Sequence, residues 1–175
     1  IRDPESDRDL PLTDSGMLWL RGPNIFEGYL HDPERTAEVL VEGWFKTGDV
    51  ARFDDDGFLY IEGRLSRFSK IGGEMVPHQT VESKLVAVLG VEESEEHVVM
   101  VTGVPDAAKG EALVVLSTVE IDLPALRPRL VEAGLPNLYL PKQVVRVDAI
   151  PVLASGKIDL KACQNLAAAR AAPQR

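Results

Sequence analysis

The setting of one lysine near the C-terminal end of this chain suits it to the stabilisation of negative charge. Lys157 follows Ser155-Gly156, so the backbone before it can turn tightly and present the ammonium at the tip of a loop. A cation in that position can neutralise charge that grows on a phosphate or a carboxylate in a transition state. An ordinary surface lysine in a turn would have the same sequence. The run is not a P-loop, because Ile158 stands where that motif requires Ser or Thr.

Two further polar side chains stand at the ends of predicted strands. Asp49 follows Thr47-Gly48, where a carboxylate can accept hydrogen bonds from two neighbouring hydroxyls, as on a ribose; the alternative is a local cap in a turn. Arg64 follows Gly63 directly after a strand, a position suited to bidentate contact with a phosphate or ribose oxygen. The alternative for this arginine is an ion pair with one of the many acidic residues nearby.

A pair of glycines forms a third candidate feature. Gly72-Gly73 stands between Lys70-Ile71 and Glu74, and adjacent glycines permit a ligand to approach the backbone closely. A plain hairpin turn would use the same residues. We predict no metal site, because the three histidines, at positions 31, 78 and 97, have no ligand spacing and the run Asp54-Asp55-Asp56 lacks the closing glutamate of a calcium loop.

The elements that must position these residues follow from helix caps and apolar spacing. Asp32-Pro33 is typical of a helix start, and the helix is expected to run to about Val41 and stop at Gly43. We predict further helices over 81–89, after Pro77, over 123–131 and over 158–170, and strands over 17–20, 50–53, 58–61, 97–102, 112–119 and 143–147. The sequence therefore predicts an α+β fold. The acidic stretch 91–96 is expected to be a solvated loop.

Composition limits the classes of function. The chain has 175 residues, 45% of them hydrophobic and 27% charged, and a formal charge of −9, which argues against a general nucleic-acid binder. No apolar run approaches the roughly 20 residues that a membrane-spanning helix needs. The single cysteine, Cys163, excludes an internal disulfide and a cysteine-based zinc site, so we expect a reducing, cytoplasmic compartment for this chain. Because it starts at Ile1 with a polar, irregular stretch, we expect it to be a piece of a longer protein.

The order of four motifs resembles that of the adenylate-forming enzymes, which include acyl-CoA synthetases, peptide-synthetase adenylation domains and luciferases. The motifs occupy residues 22–30, 43–49, 63–74 and 151–157. Within this superfamily the chain is most similar to the synthetase portion of the bifunctional acyl-ACP synthetase/2-acylglycerophosphoethanolamine acyltransferases. That finer resemblance rests on residues 66–76, 109–114 and 140–157.

The resemblance implies a division of the chain and an incomplete active site. Residues 1–62 would be the C-terminal tail of a large N-terminal adenylation domain, and residues 63–175 its small mobile lid: a three-stranded sheet with helices and a β-hairpin. Leu65, Ser66 and Arg67 would form the hinge. The Ser/Thr/Gly-rich phosphate loop, the adenine pocket and the fatty-acid tunnel are missing from this sequence, so the isolated chain is expected to be inactive. The full-length protein is expected at the cytoplasmic membrane.

The implied chemistry uses ATP with Mg²⁺ to convert a fatty acid to an acyl-adenylate. The phosphopantetheine thiol of acyl carrier protein then displaces AMP, and a missing domain passes the acyl group to a lysophospholipid. Lys157 would bridge the carboxylate and the α-phosphate, while Asp49 and Arg64 would bind the nucleotide. Two alternatives stay open, namely a fatty-acyl-CoA ligase and a non-catalytic module that docks a carrier protein.

For the second step the resemblance implies that the lid rotates. The face formed by Lys70, Gly72, Gly73 and Glu74 would then meet the pantetheine channel. Common members have an acidic residue just after the Gly-Arg pair, whereas this chain has Leu65-Ser66-Arg67. We expect the cluster of Arg67 and Lys70 to suit an acidic carrier protein. Ser69 stands where an isoleucine or valine is usual, and the sequence offers no explanation for it.

Overall fold

Two compact units make up the chain in the computed structural model, which describes residues 1–91 and 97–171. The first unit is Ile1–Ser66 and the second is Arg67–Arg175. Each unit contains its own sheet. Most of the expected acidic loop, residues 92–96, lies outside the described residues.

The first unit is built around one long central strand. Its elements are β1 (Gly16–Leu20), α1 (Pro33–Val39), β2 (Leu40–Val41), β3 (Trp44–Phe53) and β4 (Leu59–Arg64). Strand β3 pairs antiparallel with β1, β2 and β4. Apolar side chains from β1 and β3 form the buried core of this unit: Met17, Leu18, Trp19, Val50 and Ala51.

The start of α1 is confirmed, and its end differs from the expectation. The Asp32 carboxylate accepts a hydrogen bond from the Arg35 backbone N–H at 3.0 Å, as an N-cap should. The helix ends at Val39 instead of continuing to Val41, because Leu40–Val41 pairs with the start of β3. Glu42 and Gly43 make this hairpin turn, both with positive φ, as a type I′ turn requires.

The second unit is a five-stranded sheet with helices on both faces. Its elements are β5 (Phe68–Ile71), β6 (Glu74–Pro77), α2 (His78–Leu89), β7 (Val99–Asp106), β8 (Gly110–Ser117), α3 (Leu123–Glu132), β9 (Gln143–Arg146) and α4 (Leu160–Arg170). Strand β8 pairs antiparallel with β7 along its length and parallel with β9. The hairpin β5–β6 joins the same sheet through Ile71 opposite Gly110. The α+β class is therefore confirmed, but the sheet has five strands because the hairpin is part of it.

Two apolar layers cover the faces of this sheet. Helices α2 and α3 contribute Val81, Leu85, Leu126 and Leu130 to one layer. Cys163 and Ala167 of α4 pack against the opposite face, on side chains such as Met100, Leu116 and Val145. The alternation of Val115 and Leu116 between the two layers is the period-two pattern of a strand buried on both faces. Within the described ranges 1–91 and 97–171, no helix has the length and apolar character to cross a bilayer.

Candidate functional site

Asp49 and Arg64 face each other across the β3–β4 ladder. They are directly opposite in register, and Asp49 Oδ1 lies 3.1 Å from Arg64 Nη1. The same guanidinium nitrogen donates to the Thr47 carbonyl oxygen at 2.8 Å. The Asp49 side chain is 30% exposed and that of Arg64 is 64% exposed. The ion pair that the sequence offered as the alternative for Arg64 is therefore present, with Asp49 as the acidic partner, and the exposed parts of both side chains leave an accessible edge for a ligand.

A bulge in β3 sets the position of the Asp49 carboxylate. The ladder with β1 shifts between Met17 opposite Val50 and Trp19 opposite Lys46, so three residues, Thr47 to Asp49, oppose one. The Thr47 hydroxyl donates to the Leu18 carbonyl oxygen at 2.9 Å and accepts the Asp49 backbone N–H at 3.0 Å. Bulges of this kind re-aim a side chain. Sequence reasoning missed the role of Thr47, although a threonine two residues before Asp49 was a usable signal.

Lys157 projects from a tight hairpin in the second unit. Val152 and Ile158 form a bridge, the Leu153 N–H donates to the Lys157 carbonyl oxygen at 2.7 Å, and the Gly156 N–H donates to the Leu153 carbonyl oxygen at 2.9 Å. Gly156 has a φ of 79°, as the bulged glycine of a three-residue hairpin loop requires. Lys157 is exposed, and within the described part of the chain its ammonium contacts no acidic group. The predicted loop-tip geometry of Lys157 is therefore present.

Gly72-Gly73 is the turn of the β5–β6 hairpin. Both residues have positive φ, 59° and 90°, so the turn reading of this pair is correct. The Gly72 N–H donates to the Lys109 carbonyl oxygen at 2.9 Å, which ties the turn to the sheet. A Cβ on Gly73 would meet nothing within 4 Å, and Glu74 beside it is exposed. The turn therefore also presents open backbone, as close approach of a ligand needs.

The three expected hinge residues, Leu65–Arg67, form a single 3₁₀ turn at the boundary between the units. Arg67 is not an exposed cation beside Lys70, because it pairs with Glu82 of α2. Both partners are largely buried, with side chains 20% and 15% exposed. The expected basic cluster therefore loses its Arg67 member to an internal ion pair.

Sequence reasoning missed a pocket beside the Gly72-Gly73 turn. It has a volume of about 200 Å³, and its lining includes three cations, Lys109, Arg127 and Lys142, and one carboxylate, Glu111. The Lys142 ammonium is 2.5 Å from Asp106 Oδ2, and this hydrogen bond lowers the pKa of the aspartate below its usual 3.8. The motifs containing Lys109 and Lys142 were noted in the sequence, but no role was assigned to either residue.

A buried hydrogen-bond partner explains why a serine stands at position 69. Its hydroxyl oxygen lies 2.9 Å from Nε2 of His78, and both residues are almost fully buried, with 1% and 3% exposure. Burial, followed by the nearby charge of Arg67, lowers the pKa of His78 to about 3, so the ring is neutral at physiological pH. In the described residues no cluster of three or more His, Cys, Asp or Glu side chains could hold a metal ion.

Comparison with known proteins gives several relatives, although no family model matches. The chain is 36% identical over 151 residues to a 2-succinylbenzoate–CoA ligase of Listeria monocytogenes, covering 86% of this chain and 31% of that protein. A feruloyl-CoA synthase of Amycolatopsis is 40% identical over 161 residues, covering 87% and 31% respectively. ATP-bound MatB from Rhodopseudomonas palustris superposes with a TM-score of 0.69 at 29% identity, over 95% of this chain and 33% of that one.

The chain thus spans about a third of the length of the curated relatives it matches. Its α+β fold agrees with that of the matching solved structure, and the acyl-ACP branch within the superfamily is a finer assignment than these relatives support. The chain corresponds to the C-terminal part of an enzyme of the adenylate-forming acyl-CoA ligase superfamily.

Proposed function

We propose that this chain supplies the C-terminal part of the active site of an AMP-forming ligase that joins a carboxylic acid to a thiol. A carboxylate oxygen attacks the α-phosphorus of ATP and pyrophosphate leaves, which gives an acyl-adenylate. A thiolate then attacks the acyl carbon and AMP leaves, which gives a thioester. Mg²⁺ would enter with ATP, because it binds phosphate oxygens. The observation that carries the proposal is the Asp49–Arg64 pair at 3.1 Å on the bulged strand.

The proposed roles divide between binding of the ribose and stabilisation of charge at the reacting α-phosphate. Asp49 accepts hydrogen bonds from the ribose hydroxyls, and Arg64 orients its carboxylate and donates to the nucleotide. Lys157 lies between the acyl carboxylate and the α-phosphate, where its charge offsets the charge that develops as the new bond forms. Its exposed position at a hairpin tip supports this role, since a long cation there can enter a site and leave it.

The acceptor in the second step is proposed to be a phosphopantetheine thiol that reaches the Gly72-Gly73 turn. The pocket beside this turn supports an anionic acceptor, because its lining has three cations, Lys109, Arg127 and Lys142, against one carboxylate, Glu111. Lys142 also pairs with Asp106, so Lys109 and Arg127 are the cations proposed to bind phosphate groups. Lys70 and Glu74 flank the turn and would border the same channel. Rotation of the second unit about Leu65–Arg67 would exchange this face for Lys157 between the two steps and would leave the Asp49–Arg64 pair in the first unit intact.

Two thiol acceptors, acyl carrier protein and CoA, are compatible with the second step. The resemblance of residues 66–76 favours acyl carrier protein, with a fatty acid as substrate and a lysophospholipid as the final acceptor at the cytoplasmic membrane. The relatives named as a CoA ligase and a CoA synthase favour CoA. Full-length protein supplied with ATP, fatty acid and either CoA or acyl carrier protein decides between them. Thioester formation with CoA alone would overturn the carrier-protein assignment and leave the ligase intact.

The substitution Lys157→Ala tests the adenylation role. We expect it to lower ATP–pyrophosphate exchange by the full-length enzyme about 100-fold or more, as loss of one preorganised charge-stabilising group does elsewhere. Thioester formation from preformed acyl-adenylate should change little, because the lysine has left the site by then. Lys161→Ala, an exposed lysine four residues away on α4, is the matched control and should leave both steps unchanged.

An equal loss in both steps would remove Lys157 from its proposed role. If the unsubstituted full-length protein formed no adenylate from any carboxylic acid, the second candidate function, a non-catalytic module that docks a carrier protein, would replace the ligase.

A further inference from the structure

Two polar side chains meet over the bare backbone of Gly103 beneath the β5–β6 hairpin. Ser69 comes from β5, Glu111 comes from β8, and Gly103 lies in β7. A Cβ on Gly103 would overlap the Ser69 hydroxyl oxygen and would lie 2.8 Å from Oε1 of Glu111. Any side chain at position 103 would therefore displace the Ser69 hydroxyl and the Glu111 carboxylate from their present positions, so the glycine leaves room for both polar groups.

The Ser69 hydroxyl holds the open end of the hairpin. Its contact with Nε2 of His78, at 2.9 Å, joins β5 to the first residue of α2. The register pairs Phe68 with Pro77 at this end, opposite the Gly72-Gly73 turn. Both partners are buried, so water does not compete for the bond and a lost partner leaves a costly unsatisfied group.

The Glu111 carboxylate holds the middle of the same strand. Its Oε2 accepts the backbone N–H of Lys70 at 2.6 Å, which lies two residues before the turn. Next to it, the Lys109 carbonyl oxygen accepts the Gly72 N–H at 2.9 Å. The sequence analysis assigned no role to the segment Lys109-Gly110-Glu111. In the structure this segment holds the turn in place through hydrogen bonds to the backbone N–H groups of Lys70 and Gly72.

We infer that Ser69, His78 and Glu111 form a hairpin clamp, a set of positioning residues that holds the Gly72-Gly73 turn for the thiol-transfer step. The inference rests on the proposed function, because it assigns the clamp to one of the two proposed steps. The two side-chain contacts add to the β5–β6 backbone ladder and tie the hairpin to α2 and to β8, so they fix where the turn lies on the sheet. Ser69 and His78 are buried, whereas Glu111 also lines the pocket proposed for the acceptor. The clamp acts through the position of the turn, and a displacement of about 1 Å at a reacting site can cost about 100-fold in rate. The Ala and Gln variants at position 111 both remove the carboxylate charge from the pocket, so a difference between them reports the hydrogen bond to the turn.

The test uses Glu111→Ala and Glu111→Gln in the full-length enzyme. The glutamine keeps an oxygen that can accept the Lys70 N–H, whereas the alanine has none. We expect Glu111→Ala to lower kcat/KM for the thiol acceptor about 10- to 100-fold and to leave ATP–pyrophosphate exchange within about twofold. Glu111→Gln should recover thioester formation to within about threefold of the unsubstituted enzyme, since a neutral acceptor replaces a charged one.

A matched control separates positioning from stability. Val145→Ala removes core volume on the α4 face of the sheet, away from the hairpin, and lowers the melting temperature without touching the clamp. If Val145→Ala and Glu111→Ala had equal melting temperatures and equal activities in both steps, the clamp would be an ordinary stabilising contact and the inference would be wrong. Equal activity of the Ala and Gln variants at position 111 would also overturn it.

A second variant serves if Glu111→Ala does not fold. Ser69→Ala removes the hydroxyl partner of His78 and should lower thioester formation in the same direction while sparing pyrophosphate exchange. Unchanged thioester formation by a folded Ser69→Ala enzyme would contradict the clamp. Absence of pyrophosphate exchange in the unsubstituted enzyme would instead contradict the proposed ligase, so the two failures are distinguishable.

Discussion

His78 is a buried histidine whose neutral form the fold requires. Because burial and Arg67 lower its pKa from 6.5 to about 3, the unfolded chain binds a proton between these values that the folded chain does not. Its contribution to stability is complete above pH 6.5 and decreases as the pH falls toward 3. The slope from one proton is at most about 1.4 kcal/mol per pH unit.

We therefore expect His78→Gln to flatten part of the loss of stability on acidification. The amide can keep a hydrogen bond to Ser69 but does not titrate. The measurement is the free energy of unfolding by urea at pH 4, 5, 6 and 7, compared with His31→Gln, a control at an exposed histidine. The same pH profile for His78→Gln and the unsubstituted chain would show that His78 does not drive the acid response.

At the residue scale, the sequence predicts the roles of residues whose signal lies in their immediate neighbours. It does not predict the roles of residues whose partner is distant in the chain. Lys157 after a glycine and Asp32 before a proline are local signals, and the structure has the predicted hairpin tip and N-cap. Arg67 looked like an exposed cation because Glu82, fifteen residues later, could not be identified as its partner. Ser69 looked anomalous for the same reason, since its partner lies in the next helix.

The β5–β6 hairpin is the element on which the proposed second step depends. A substitution at Gly72 can separate two roles of this glycine: forming the turn and permitting close approach of the acceptor. Gly72→Asn should fold normally, because asparagine tolerates the φ of 59° and its Cβ would lie 3.9 Å from Leu138, an ordinary contact. We expect a melting temperature within about 2 °C of the original and a thioester-forming rate lowered at least about tenfold, corresponding to about 1.4 kcal/mol of binding or orientation.

A second turn of the same kind supplies the control for this substitution. Glu42→Asn places asparagine at the first position of the β2–β3 turn, also at positive φ, and should leave the thioester-forming rate unchanged. Full activity of Gly72→Asn would mean that the glycine serves the turn alone.

The elements themselves were largely predictable because their signals are local, but their boundaries and partners were not. Leu40–Val41 continues the apolar pattern of α1, yet pairing with β3 and the turn at Gly43 make it a strand. The contact that brings the hairpin into the large sheet, Ile71 with Gly110, spans about forty residues. No local periodicity encodes such a pairing, so the sheet was expected to have three strands and has five.

For the whole molecule, net charge is a poor guide to the site because the charge is unevenly distributed. The first unit has seven basic and fifteen acidic residues, whereas the second has twelve basic and thirteen acidic residues. The acidic excess belongs to the unit with the Asp49–Arg64 pair. The nearly neutral second unit contains Lys157 and the cationic pocket, so a total of −9 does not conflict with binding of phosphorylated ligands there.

The division into two units also predicts how the molecule unfolds. Each unit has its own core, and chains of this kind depart from a single two-state transition. Leu85→Ala in α2 removes a fully buried side chain of the second unit and should cost about 2–5 kcal/mol there. Val50→Ala in β3 removes a fully buried side chain of the first unit and should cost about 1.5 kcal/mol or more of that unit's stability, for two buried carbon groups.

Scanning calorimetry should resolve two transitions, with Leu85→Ala lowering the melting temperature of one and Val50→Ala that of the other. A single transition whose melting temperature both substitutions lower would mean that the two units unfold together. The stability changes predicted for Gly72→Asn and His78→Gln would then apply to the whole chain and not to the second unit alone.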